Sequence, residues 1–183
     1  MAGALWTMET INQGRRDRPP KRFKRIVIGV DPSGGAAEIG IVAVGLGYDG
    51  HAYVLRDVSL RGKPDAWGRR VSLLFHLLKA DKVIAEKNFG GDMVLSTLRV
   101  LDKRLPVRVE QTSRGKLVRA EPISALYADG LVHHVGVFDE MEIEMTTWTS
   151  DSSESPNRMD ALVWALTELM RAMVYDEVEA SSF

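Results

Sequence analysis

With 183 residues, 24 Lys and Arg against 25 Asp and Glu, and a net charge of −1, the chain is long enough to bury one core and carries no overall field that selects a partner. The absence of cysteine excludes disulfides, thiolate zinc sites and cysteine nucleophiles. No apolar run is long enough to span a bilayer, and Met1–Thr10 lacks a signal-peptide pattern, so a cytoplasmic location is expected.

Residues 1–24 read as an arm, with a helical possibility over Leu5–Asn12 followed by Gly14, a run of arginines and Pro19-Pro20. Pro-Pro flanked by charge suggests an extended connector. The charge is unevenly spread. Arg15, Arg16, Arg18, Lys21, Arg22, Lys24 and Arg25 face one acid, Asp17, whereas Asp139, Glu140, Glu142, Glu144, Asp151 and Glu154 share their stretch with no Lys or Arg. Basic segments attract phosphate backbones and acidic ones repel them unless they hold cations, although a solvated linker accounts for the basic run equally well.

Three strands are expected next: Arg25–Asp31, apolar on both faces; Glu38–Leu46, after a Pro32–Gly35 turn; and His51–Leu60, after an Asp49-Gly50 hairpin signal. The alternation Ala52, Val54 against Tyr53, Leu55 fits a half-exposed antiparallel strand. The period then changes. Pro64–Ala80 predicts a helix, Lys82–Asn88 a fourth strand, and Asp92–Leu101 a helix after Gly90-Gly91. Val107–Thr112 predicts a fifth strand and Gly115–Asp129 a helix made irregular by Pro122. Leu131–Val135 is extended, and Glu140–Thr146 forms a turn or two of helix. Ser155-Pro156 supplies an N-cap and a first-turn proline for a last helix running to about Val174, with an acidic tail over residues 176–183. The expected organisation is thus a domain over residues 25–175. Its class is α/β, a mixed sheet in the order β-β-β-α-β-α-β-α flanked by helices. A meander followed by β-α-β crossovers is the ribonuclease-H-like arrangement.

Three acids hold special places: Asp31 and Glu86 end strands one and four, and Asp160 opens the last helix. A carboxylate ending an apolar strand is expensive unless a metal or partner offsets its desolvation. Parallel strands one and four would bring Asp31 and Glu86 together, and the last helix could add Asp160. Such hard oxygen ligands suit Mg2+ or Mn2+, and two such ions about 4 Å apart support phosphodiester cleavage. Taken singly, each acid has a bland explanation as a turn former, a solvated strand end or a helix-dipole partner. Asp92 fits an N-cap better than a metal ligand, and Asp151 fits a solvated loop acid better than an auxiliary one. His133 and His134 are adjacent on an extended piece and face opposite ways. Trp164 reads as core.

The motifs GVDPSGG (Gly29–Gly35), IAEKNFGGDMV (Ile84–Val94), SRGKLVRAEPISALYADGLVHHVG (Ser113–Gly136) and SPNRMDALVWAL (Ser155–Leu166) occur in this order. Through them the chain resembles the C-terminal nuclease domain of large terminase subunits, the DNA-packaging motors of tailed bacteriophages. ALWTMETI (Ala4–Ile11) is similar to the stretch that joins that domain to its ATPase partner. The resemblance implies a ribonuclease-H-like, two-metal endonuclease acting on double-stranded concatemeric DNA in the host cytoplasm. It implies Asp31, Glu86 and Asp160 as metal-binding, catalytic acids. It also implies an N-terminal ATPase motor in the full protein, with portal and small terminase subunit as partners. Lys116 or Arg119, with Arg114 as a weaker candidate, is expected to contact DNA. No GxxxxGK[ST] motif is present, so the chain is not itself the motor. The rival readings are a junction resolvase or transposase, a non-catalytic DNA- or portal-binding module, and, least compatible with the length, an actin-like ATPase.

Overall fold

A meander carries the fold. Strands β1 (Phe23–Asp31), β2 (Gly40–Gly47) and β3 (Ala52–Asp57) run antiparallel in succession, with Asp31 opposite Gly40 and Val42 opposite Asp57. The computed structural model describes residues 3–32, 38–87 and 91–180, so the expected Pro32–Gly35 turn and the Asn88–Gly90 strand end lie largely outside the described residues. The Asp49-Gly50 signal is realised as a turn: Gly50 has φ 79° and Asp49 accepts the Tyr53 hydroxyl at 2.6 Å.

Helix α2 (Pro64–Leu78) crosses to β4 (Lys82–Glu86), which pairs parallel to β1 with Val30 opposite Ala85. Helix α3 (Gly91–Leu101) leads to β5 (Val107–Glu110), parallel to β4. Helix α4 (Lys116–Ala128) precedes β6 (Val132–His134), a short strand parallel to β3. The six-stranded order is β5-β4-β1-β2-β3-β6. Helix α4 continues through Pro122 without a break, although proline has no N–H to give the turn before it.

Two apolar layers sandwich the sheet, as its period-two alternation requires. Val27, Val42, Val44, Val54 and Ile84 meet α6 (Asn157–Ala180), and Ile28, Ile41, Ala43, Leu55 and Val83 meet the α2–α3 side. Strand β3 is therefore not half-exposed: Tyr53 and Leu55 are buried along with Ala52 and Val54, because α6 covers one face and, on the other, Phe23 of β1 and His133 of β6 pack on Tyr53. Midway along, α6 is tied down by buried Glu168, which takes Arg25 at 3.2 Å, Lys82 at 3.0 Å and Arg108 at 3.5 Å. The helix continues to Ala180, past the start of the expected acidic tail, and residues 181–183 lie outside the described residues.

The two charged blocks meet each other. The helical possibility over Leu5–Asn12 is realised as α1 (Met8–Gly14), which buries Ile11, and Trp6 ahead of it packs edge-on to Tyr127, so this part of the arm is docked on the domain. Arg15 then reaches Glu142 at 2.6 Å, in helix α5 (Asp139–Thr147). His133 and His134 do face opposite ways. His134 is held between the Tyr127 hydroxyl at 2.8 Å and Glu142 at 2.9 Å, and His133 bonds the Gly14 carbonyl and His51, each at 2.7 Å.

Candidate active site

Strand geometry decides where the acids point. Val27, Gly29 and Asp31 alternate onto the α6 face of β1, and Ile84 and Glu86 onto the same face of β4. With Val30 opposite Ala85 in a parallel register, Asp31 and Glu86 end neighbouring strands at the same edge of the sheet. Helix α6 lies across both strands. Gly29 and Gly40 leave no side chain beneath it, and a β-carbon on either would overlap the carbonyl oxygen of Ala161 or Asn157. This backbone-level approach brings Asp160 to the ends of β1 and β4. All three acids are buried, at 3%, 7% and 1% exposure.

Three buried carboxylates in one place repel each other. Burial first, then the charge of Asp160, pushes the Asp31 carboxyl from 3.8 up to about 8, with Lys116 and Arg119 pulling the other way. Burial likewise raises Asp160 against the pull of Lys116. Asp31 Oδ2 is buried without a hydrogen-bond partner among the described residues. The other two acids are engaged. Lys116 Nζ forms an ion pair with Asp160 and donates to Ser155 Oγ at 2.6 Å, and Arg119 Nη2 lies 3.7 Å from Glu86. Residues i and i+3 of α4 thus face residues i and i+4 of α6, Asp160 and Trp164. Lys116 and Arg119 therefore sit on the acids themselves, while Arg114 is exposed and lines a groove with Arg171 between α4 and α6.

Trp164 has a larger part than a core residue. Its indole N–H donates to Glu86 Oε2 at 3.3 Å, and the Arg119 guanidinium stacks 4.7 Å from its ring centroid. Its position one helical turn after Asp160 was the available signal. Ser155 turns its hydroxyl to Lys116, and the helix it was expected to cap begins at Asn157. Asp92 lies inside the first turn of α3, not at its cap, and Asp151 is exposed in a turn.

The donor set fits a divalent cation: three hard carboxylates, one with an unpartnered buried oxygen, and a lysine ammonium already offsetting negative charge at Asp160. Among the described residues no three His, Asp or Glu side chains already surround a common point. Lys116 draws Asp160 aside, and Arg119 and Trp164 hold Glu86, so a cation would have to take these carboxylates from their present partners.

Residues 28–169 match the family model of the terminase RNase H-like domain. No curated protein sequence matches the chain. Among solved structures, the large terminase nuclease from thermophilic phage G20c superposes with a TM-score of 0.69 at 11% identity, covering 91% of this chain and 99% of that one. The same nuclease with bound cobalt gives 0.68 at 11% identity, covering 92% and 98%. The large terminase of a second thermophilic bacteriophage, in complex with ADP, gives 0.73 at 11% identity over 92% of this chain, which spans only 45% of that protein. T. thermophilus RuvC in complex with a Holliday junction substrate gives 0.52 at 19% identity, covering 81% and 96%. The sandwiched sheet, its converging acids and the family match over most of its length agree: the chain belongs to the terminase RNase H-like domain family.

Proposed function

We propose that this domain is a metal-dependent endonuclease that cuts double-stranded concatemeric phage DNA during genome packaging. The observation that carries the reading is the convergence of Asp31, Glu86 and Asp160, buried at the ends of β1, β4 and the start of α6, with Asp31 Oδ2 left unpartnered. Asp31, which ends the strand next to β4 and feels the charges of both Asp160 and Glu86, would hold the metal together with those two acids. Two Mg2+ or Mn2+ ions bound there would supply an activated water and charge stabilisation for the leaving oxygen. In this reading Lys116 balances Asp160 and meets a phosphate backbone at the rim, Arg119, a tenth exposed, balances Glu86 from within, and Arg114 extends the basic rim outward. The cobalt bound by the G20c nuclease supports a divalent-ion site in this fold.

The partners follow from the same reading: double-stranded DNA, an ATPase motor N-terminal to this domain, a portal and a small terminase subunit, all in the host cytoplasm. Among the described residues no helix is long and apolar enough to cross a membrane. The likeness to RuvC favours a second reading, cleavage of branched DNA. Purified protein should nick and linearise plasmid in Mn2+, and Asp31→Ala should abolish this. Full activity in that variant would sink the assignment, and a preference for four-way junctions over plasmid would select the second reading.

A further inference from the structure

Two residues before Asp160 stands a buried charge that the proposed chemistry does not use. Arg158 is 8% exposed and is gripped from three directions. Its Nη1 donates to Asp57 at the end of β3 at 2.8 Å. Its Nη2 donates to Glu38, ahead of β2, and to Glu140 of α5, and its Nε lies 4.0 Å from Glu144 Oε1, also of α5. The other oxygen of Glu144 accepts the backbone N–H of Met159 at 3.0 Å. That amide belongs to the first turn of α6, whose N–H groups have no partner within the helix.

Helix α5 therefore holds the first turn of α6 in two ways, by an ion pair to a side chain and by a cap on the backbone. Both contacts fall on the two residues immediately before Asp160. A guanidinium fork is suited to this because it fixes direction as well as charge, which a flexible ammonium does not. Lys116 does not replace it. Lys116 touches the Asp160 carboxylate and Ser155, not the backbone of the first turn, and it is the contact a bound cation has to displace.

We infer that Arg158 and Glu144 are positioning residues for Asp160, fixing the start of α6 so that its carboxylate faces Asp31 and Glu86. The inference rests on the metal-site reading above. It extends the site to a supporting layer made of β3, the approach to β2, and α5.

The test uses the full chain with Mn2+ alone as the probe. Arg158→Lys keeps the charge and loses the fork, and Glu144→Ala loses the cap. In metal-free protein, amide hydrogen exchange at residues 157–161 should quicken about tenfold in either variant, on the scale of losing a helix cap, while residues 162–169 keep their protection. By calorimetry, Mn2+ affinity should fall about tenfold to a hundredfold, as for the loss of groups that orient metal ligands. Unchanged Mn2+ affinity with a loosened first turn overturns the inference, as does unchanged exchange. If Arg158→Lys fails to fold, Glu144→Ala decides by the same two readings. Asp31→Ala separates the premises: undiminished Mn2+ binding there defeats the metal site itself, whereas loss there with wild-type affinity in the Arg158 and Glu144 variants defeats only the positioning role.

Discussion

Gly29 of β1 and Ala161 of α6 meet backbone to backbone, with no room for a side chain between them. Asp31 lies two residues along the same face of β1 and Asp160 is next to Ala161, so this contact sets the separation of two of the three acids. Gly29→Ala would have to lift a helix that is packed along most of its length. Overpacking of this kind costs about 1–3 kcal/mol or somewhat more. Urea midpoints should report that loss, together with lost nicking activity. Gly3→Ala, with open space around it, should stay within about 0.5 kcal/mol of wild type.

The acids themselves destabilise the metal-free fold. Asp31 is buried beside Asp160 and Glu86, with an oxygen that no described residue satisfies. Asp31→Asn cannot ionise and keeps the shape, so above about pH 4, where the unfolded wild-type chain has lost a proton that the folded one keeps, thermal unfolding in EDTA should shift upward while Mn2+-dependent cleavage disappears. This is the exchange of stability for activity expected at a preorganised site. A lower melting temperature in EDTA would show that Asp31 is better satisfied than its surroundings indicate.

Trp164→Phe separates two contacts of one side chain. Phenylalanine keeps a ring beneath Arg119 but cannot donate to Glu86. Hydrogen bonds to charged groups contribute about 1.5–3 kcal/mol, so plasmid nicking should fall about tenfold with the far-ultraviolet circular dichroism unchanged. Wild-type rates would reduce the indole to a packing group.

Glu144 gives the stability a pH signature. Burial holds its carboxyl up to about 7 from 4.5, against the pull of Met159 N–H and Arg158 and with the help of Glu38; Glu140 and Asp57 are the other acids on the same arginine. The folded protein keeps this proton where the unfolded chain has lost it. The associated stability is full below about 4.5 and is lost as pH rises toward 7. Glu144→Gln has no proton to lose. Measured by urea unfolding in EDTA, its stability relative to wild type should therefore increase between pH 5 and pH 8. A difference that does not vary with pH would show that Glu144 does not titrate in that window.

Local signals in the chain were enough for the meander, the crossovers and the three acids, because each rests on short-range chemistry. Asp49-Gly50 makes a turn, Pro64 opens a helix, and a carboxylate ending an apolar strand stands out against its neighbours. What stayed hidden joins residues far apart in sequence. The Trp164–Glu86 bond, the grip of Glu38 and Asp57 on Arg158, and the docking of Trp6 and Ile11 leave no trace in any local period. The acidic stretch that begins after Val137 was legible as charge but not as purpose. Its Glu140, Glu142 and Glu144 take up arginines from elsewhere in the chain. The expected half-exposure of β3 failed for a related reason, since Tyr53 is covered by Phe23 and His133, both distant from it in sequence.

Arg15 and Arg158 end on the same short helix. Arg15 reaches Glu142 from the N-terminal segment, Arg158 reaches Glu140 and Glu144 from the start of α6, and Met141 and Met145 of that helix share one apolar cluster with Trp6, Ile11 and Met159. The stretch leading into the first strand and the third acid are thus neighbours once removed, with α5 as their common abutment. A displacement of the incoming chain bears on that abutment directly, and the acids need not wait for the sheet to carry it to them.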